Sequence, residues 1–375
     1  MHELRKFEFI DALRGLAILA VVLVHASLAV PAHSPWLQTL MAAGARGVQL
    51  FYIASALTLC MSWEFRSALE RAPIRNFYLR RLFRIAPMFY LAIAFYVMLY
   101  GLSPHYFAPN GVEWYYIPLT ALFLNGFHPE TVAVVVPGGW SIVVEMTFYL
   151  ALPWLVTRFR SLAALVALAA LSLVLARVTG RIFRMVYLPM YPPEQAYLVD
   201  NLMFLNFFGQ FPVFAIGMLA YWVFRRPHLR PRVVAGGAVL FATWLLIWPR
   251  LTDTAVSRVF SMHVAMGAGF ALLALGLAIS PTRVLVNPLT RWIGTLSFSM
   301  YLTHFAVIEA FAALGITARF GGGDVPALLH YVCVVMVTAG VSWVCYRLIE
   351  RPGIEAGRRL IERLEAAPAA DRVPA

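Results

Sequence analysis

The chain has 375 residues, of which 61% are hydrophobic and only 13% charged, and it carries a formal net charge of +12. That composition excludes an ordinary water-soluble domain and points to a polytopic membrane protein. The basic residues punctuate apolar runs instead of forming a patch in polar surroundings, so they mark membrane topology and not nucleic-acid binding.

Apolar runs fall near 10–30, 47–63, 85–102, 140–156, 161–177, 203–223, 233–249, 259–279, 293–315 and 326–347. A spanning helix needs about 20 mainly apolar residues, so the runs predict an all-α polytopic bundle of about ten transmembrane helices. Ten spans place both termini on one side of the membrane. Most arginines, among them Arg66, Arg71, Arg75, Arg80, Arg81, Arg84, Arg225, Arg226, Arg347 and Arg351, thread to that side, whereas Arg46, Arg177, Arg181, Arg184, Arg250, Arg258 and Arg319 thread to the other. The positive-inside rule then makes both termini cytoplasmic. The division expected is a transmembrane domain over 1–352 and a cytoplasmic tail over 353–375, with no cleaved signal. Cys60, Cys333 and Cys345 lie in apolar runs without the spacing of a disulfide framework or a zinc site, and no metal is expected.

The first run, Phe9 to Val30, carries Asp11, Arg14 and His25. Charged groups inside a span are costly and mark function by default. Eleven positions at 100° per residue bring His25 to within about 20° of the azimuth of Arg14 and roughly 16 Å above it. In the third run, RRLFRIAP sets Arg81 and Arg84 three apart on one helical face. Paired guanidinium groups suit phosphate oxygens, although any cytoplasmic arginine also satisfies the topology rule.

The segment from Ser103 to Gly139 has no Lys or Arg but holds His105, Glu113, Trp114, Tyr115, Tyr116, His128 and Glu130. Its apolar piece, Ile117 to Leu124, is too short to span and reads as re-entrant or interfacial. The fourth run, WSIVVEMTFYL, places Glu145 at about the depth of His25, so the two could meet. A carboxylate beside an imidazole fixes its tautomer and raises its basicity, as a general base requires; the alternative is a pair that only fixes helix packing. A second outer segment, Val178 to Asn201, either shapes an acceptor site or caps the bundle. In the ninth run, Ser297, Tyr301 and His304 stand at i, i+4 and i+7 on one face. That stripe reads as a channel lining or, for Ser297 and Tyr301, equally as interhelical hydrogen bonding. After the last run, Arg351 to Arg363 reads as a short charged helix at the cytoplasmic surface.

Arg14 and His25 with ten residues between them, LFYIASAL, RRLFRIAP, WSIVVEMTFYLALP and SFSMYLTHF occur in the order and approximate spacing of the bacterial acyltransferase-3 family, which the chain resembles from Phe7 to Pro352. The resemblance implies an O-acyltransferase of the bacterial cytoplasmic (inner) membrane that takes an acyl group, above all acetyl, from cytoplasmic acyl-CoA. The acceptor it implies is a hydroxyl of a sugar or glycan near the outer face. By position, His25 corresponds to the catalytic histidine with Arg14 its motif partner and Glu145 in the second block. Arg81 and Arg84 correspond to the donor-associated pair. Trp140, Ser141 and Tyr149 also match the second block and are expected on the substrate side, and Ser297, Tyr301 and His304 match the late one on the donor side. Two departures stand out: Ser55, Ala56 and Leu57 replace the Ser-Gly-Phe of many relatives, and the fused extracytoplasmic hydrolase-like domain of many relatives is not seen, so a separate partner protein or a homo-oligomer is one way to complete the function. The rival from another class is a transporter or flippase of a glycan or acyl-linked substrate whose buried charges line a path and perform no chemistry.

Overall fold

In the computed structural model, which describes residues 7–251 and 261–366, the chain folds as a helical bundle with no strand among the described residues. The long helices are α1 (Glu8–Ala29), α2 (Gly47–Ser67), α3 (Pro73–Tyr100), α4 (Gly139–Arg158), α5 (Leu162–Tyr187), α6 (Phe207–Phe224), α7 (Arg230–Leu251), α8 (Met262–Ile279), α9 (Pro288–Ala313) and α10 (Asp324–Cys345). They take the ten apolar runs in order, and among the described residues nine helical stretches are long and apolar enough to cross a membrane. Helix α7 occupies the remaining run. The expected run at 259–279 begins outside the described residues and is helical from Met262.

Local chemistry explains several boundaries. Asn287 and Thr290 form a reciprocal capping box at the start of α9, with Pro288 in its first turn. Ser161 and Asn206 cap α5 and α6 through their side chains. Helix α3 starts at Pro73, twelve residues before the apolar run, because its first turns are stabilised by charge and not by lipid. Arg80 pairs with Glu70 at 2.6 Å, and Asn76 donates to Glu365 at 2.7 Å. Arg81 and Arg84 therefore lie well inside a helix and not where one begins.

The short charged helix expected at Arg351 to Arg363 is present. A π-helical turn, Tyr346–Glu350, joins α10 to an amphipathic helix, α11 (Arg351–Ala366). Gly353 and Gly357 lie against Phe83 and Pro87 of α3, and Glu365 accepts hydrogen bonds from the backbone of Arg71 and Ala72. At the opposite end, the short helix Tyr116–Ala121 is too short to span. The irregular stretch that follows is buried at Val132 to Val136, the setting in which non-helical backbone is tolerated at depth. The two long segments 103–139 and 178–201 are fastened to each other: Tyr187 and Tyr197 donate to the carbonyls of Phe127 and Tyr106.

Candidate active site

Helices α1 and α9 form the most extensive contact of the bundle. Two glycines permit it. A Cβ on Gly294 would overlap the carbonyl of Asp11, and one on Gly15 would overlap the carbonyl of Thr290. Small residues at a membrane helix interface let backbones approach in this way. The approach brings the functional stripes of the first and ninth spans together along their length.

At the lower level, Arg14, Arg81, Arg84, Ser141, Glu145, Tyr149, Ser297 and Tyr301 all line one cavity, together with Ser55 and Thr58 of α2. Eight of the site positions expected from sequence converge here from α1, α3, α4 and α9. Arg81 lies over the rings of Phe77 and Tyr149 at 5.6 and 5.7 Å, a placement in which a guanidinium gains from the ring faces. Among the described residues, none of Arg14, Arg81 and Arg84 has a carboxylate within salt-bridge distance. Glu145, Glu350 and Asp11 act on Arg14 through space, while Arg84 opposes it. Two buried polar atoms of the lining, Ser297 Oγ and Arg81 Nε, have no hydrogen-bond partner. Such atoms are costly unless something completes them. Three cations and an orphaned hydroxyl around one Glu145 make a cavity that favours an anion.

The roof of the cavity is a hydrogen-bonded pair. Ser141 Oγ and Tyr301 Oη are 2.7 Å apart, and the Tyr301 hydroxyl donates to the Gly138 carbonyl at 3.0 Å. Gly138 has φ +76°, and a side chain there would strike the Tyr301 ring.

Above the roof stands His25, with a partner other than the one the sequence suggested. His25 Nδ1 meets His304 Nε2 at 3.0 Å, and Phe305 covers both rings at 4.4 and 4.2 Å. Glu145 instead accepts a hydrogen bond from Ser55 and adjoins Tyr149. The reason is position: Glu145 lies in the cavity beside Ser55 of α2, one turn along α4 from Ser141, whereas His25 packs on His304 and Phe305 of α9. The pattern also assigns tautomers. The Met300 carbonyl, 3.2 Å from His304 Nδ1, can only accept, so Nδ1 carries the proton and Nε2 offers a lone pair. His25 Nδ1 then donates to it, and the lone pair of His25 lies on Nε2. The Val21 carbonyl, one turn back on α1, also lies against the His25 ring.

Trp140 is not in the cavity; it packs against Phe204 at 6.0 Å, toward the outer end. Two residues escaped the sequence reading. Ser55 carried a signal, a hydroxyl within an apolar run, but its tie to Glu145 needs the fold. Glu350 is 1% exposed and accepts a 2.7 Å bond from Ser299; it closes the π-helical turn, a feature often found at functional sites. Among the described residues no group of three or more His, Cys, Asp or Glu is placed to hold a metal ion.

Comparison with known proteins fits this arrangement. The chain is 27% identical over 369 residues, 93% of its length and 83% of the relative's, to BcsY of Komagataeibacter xylinus, named as a membrane-bound transacylase. It is 25% identical over 384 residues to Nodulation protein 10 of Rhizobium leguminosarum bv. viciae, covering 94% of this chain and 95% of that one. It is 23% identical over 376 residues to YrhL of Bacillus subtilis, named as a peptidoglycan O-acetyltransferase, and spans 56% of that longer protein. No solved structure matches the chain. The acyltransferase domain of the acyltransferase-3 family matches residues 7–347, and the chain belongs to that family of multi-pass membrane acyltransferases.

Proposed function

We propose that the protein transfers an acyl group, acetyl above all, from acyl-CoA on the cytoplasmic side to a hydroxyl of a glycan or glycoside near the outer face of the bacterial cytoplasmic membrane. The observation that carries this reading is the cavity whose three arginines make no salt bridge among the described residues, beneath a histidine whose free nitrogen points to base chemistry. A CoA diphosphate would neutralise Arg81 and Arg84, whose planar forks suit phosphate oxygens. Its pantetheine arm would rise past Arg14 and Ser297 toward His25. That arm is about a dozen bonds long and, at the reach per bond of an extended chain, covers roughly 15 Å. The axial separation of Arg14 and His25 is about 16 Å. The roof made by Ser141 and Tyr301 would part to let it pass.

At the top, His25 Nε2 would take the proton of the acceptor hydroxyl while the oxygen attacks the thioester carbonyl. The carbon–sulfur bond then breaks, the ester forms, and the proton passes from the imidazolium to the departing CoA thiolate. His25 could instead carry the acyl group itself between donor and acceptor. A glycan acceptor is supported by the name of the Bacillus relative and by aromatic side chains on the outer segments, such as the exposed Trp114 and Tyr106. The bias of arginines toward the side of the termini supports a cytoplasmic donor side.

The test uses the full chain in nanodiscs with acetyl-CoA, reading free thiol, and mass spectrometry of envelope glycans from cells with and without the gene. Thiol release that depends on Arg84 and His25, with a mass gain of one acyl group in a glycan, is the expected result. A folded His25→Ala protein with full transfer would overturn the reading.

A further inference from the structure

A second cavity of about 290 Å³ opens at the cytoplasmic-side ends of α2, α4 and α6. It is outside the site described above, but two helices run from one to the other. On α4, Glu145 and Tyr149 line the first cavity, and Val156 and Phe159 line the second. Seven residues advance about 10 Å and return to within about 20° of the same azimuth, so one stripe of α4 serves both. On α2, the neighbours Leu59 and Cys60 divide between them.

The lining combines aromatic faces with charge. Trp63, Phe159 and Trp222 supply rings, and the indole N–H of Trp222 is buried with no acceptor. Glu64 accepts from Tyr221 and pairs with Arg225 at 2.7 Å, which leaves carboxylate lone pairs for an amine. Arg160 makes no salt bridge among the described residues. Rings to stack a base, a carboxylate to accept its exocyclic amine, and arginines for a phosphate are the elements that recognise a purine nucleotide.

We infer that this cavity binds the adenosine 3′-phosphate end of the donor: the purine lies against Trp63, its amine on Glu64, and the ribose phosphate on Arg160 and Arg225. The inference rests on the acyl-CoA reading given above. A diphosphate held at Arg81, beside Tyr149, leaves about the 10 Å between Tyr149 and Val156 for ribose and base to cross. A basic pocket at this depth also suits the phosphate of an anionic lipid headgroup, but a lipid headgroup has no use for the ring lining.

The experiment measures binding of adenosine 3′,5′-bisphosphate, which lacks the pantetheine arm, to the full chain in nanodiscs made with and without anionic lipid. It also measures kcat/KM for acetyl-CoA relative to S-acetyl-phosphopantetheine, which lacks the nucleotide. The native protein should bind the bisphosphate in both lipids and prefer acetyl-CoA. Trp63→Ala should weaken bisphosphate binding roughly tenfold or more, as loss of a stacked base does, and should cut the donor preference in proportion, with Trp63→Phe restoring both. Equal binding by native and Trp63→Ala proteins of equal thermal stability would overturn the proposal, as would bisphosphate binding abolished by anionic lipid alone. Turnover of neither thioester, with bisphosphate binding still dependent on Trp63, would overturn the acyl-CoA reading and leave the nucleotide site standing.

Discussion

His304 is the residue whose substitution separates a base-positioning role from a packing role. It is fully buried, its Nδ1 is committed to the Met300 carbonyl, and its Nε2 is the acceptor for His25 Nδ1. His304→Ala removes that acceptor, leaves the His25 ring with only the Val21 carbonyl of its own helix, and loosens the tautomer that keeps the His25 lone pair on Nε2. Leaving one buried group unsatisfied costs about 1–3 kcal/mol. If that cost falls on the transition state, kcat drops roughly 5- to 150-fold, at about 1.4 kcal/mol per tenfold. His304→Gln sets an amide oxygen near the former Nε2 and should recover much of the loss. The assay is thiol release from acetyl-CoA by protein in nanodiscs, with thermal stability measured in parallel. In a double-mutant cycle, His304→Ala should add little once His25 is Ala, because residues acting as one unit are not additive. A stable His304→Ala protein with native kcat would refute the relay, and so would equal activity of the Ala and Gln proteins.

Two further predictions concern the frame. Gly294→Val forces a branched side chain against the Asp11 carbonyl. Overpacking of this kind costs about 1–3 kcal/mol, so the apparent melting temperature should fall along with activity; unchanged melting would mean α1 and α9 can part without cost. The outer segment should loosen in acid. His105 Nδ1 accepts the Phe107 amide at 3.3 Å, and His128 Nδ1 accepts that of Glu130 at 3.2 Å, so both turns need neutral rings. Burial holds both imidazoles below their usual pKa. With the folded values depressed, their contribution is complete above about pH 6.5, where the unfolded rings are also neutral, and declines as pH falls below that toward the folded values. Hydrogen exchange of residues 103–136, corrected for intrinsic rates, should therefore lose protection between pH 7.5 and 5.5, and replacing both histidines by Gln should flatten the response.

The helices were legible in the sequence because lipid imposes one rule, an apolar run of sufficient length, and each run found its helix. What hydropathy could not see was chain that is helical without being apolar. Pro73 to Arg84 is stabilised by Glu70 and Glu365, so the run undershot it; the charge pattern of Arg351 to Arg363 did mark α11, but not its contact with α3. Site residues were legible as costs: Arg14, Glu145, Ser297 and Tyr301 stood out as polar groups in apolar stretches, and they meet in one cavity. Pairing was not legible. Counting residues from the run ends made Glu145 a reasonable partner for His25, but such a count fixes neither true depth nor azimuth: packing among several helices puts Glu145 in the cavity beside Ser55, below the Ser141–Tyr301 pair, and His25 against His304.

The departure at Ala56 shows how such packing can survive a change in the residue that seems to require it. Where many relatives have glycine in the second span, this chain has Ala56, and the facing residue on α6 is Gly217. A Cβ on Gly217 would lie 2.6 Å from the Ala56 Cβ, so Gly217 makes the room that the Ala56 methyl takes up and α2 and α6 approach closely. That approach sets the rotation of α2. Ser55, the next residue back, is turned about 100° away from the contact and faces α4, where it reaches Glu145. The Ala56–Gly217 contact thus leaves the carboxylate anchored in the cavity that Arg14 and Tyr149 also line. The test of equivalence for a variant helix pair is therefore the hydroxyl–carboxylate contact beside it, and not the identity of the small residue.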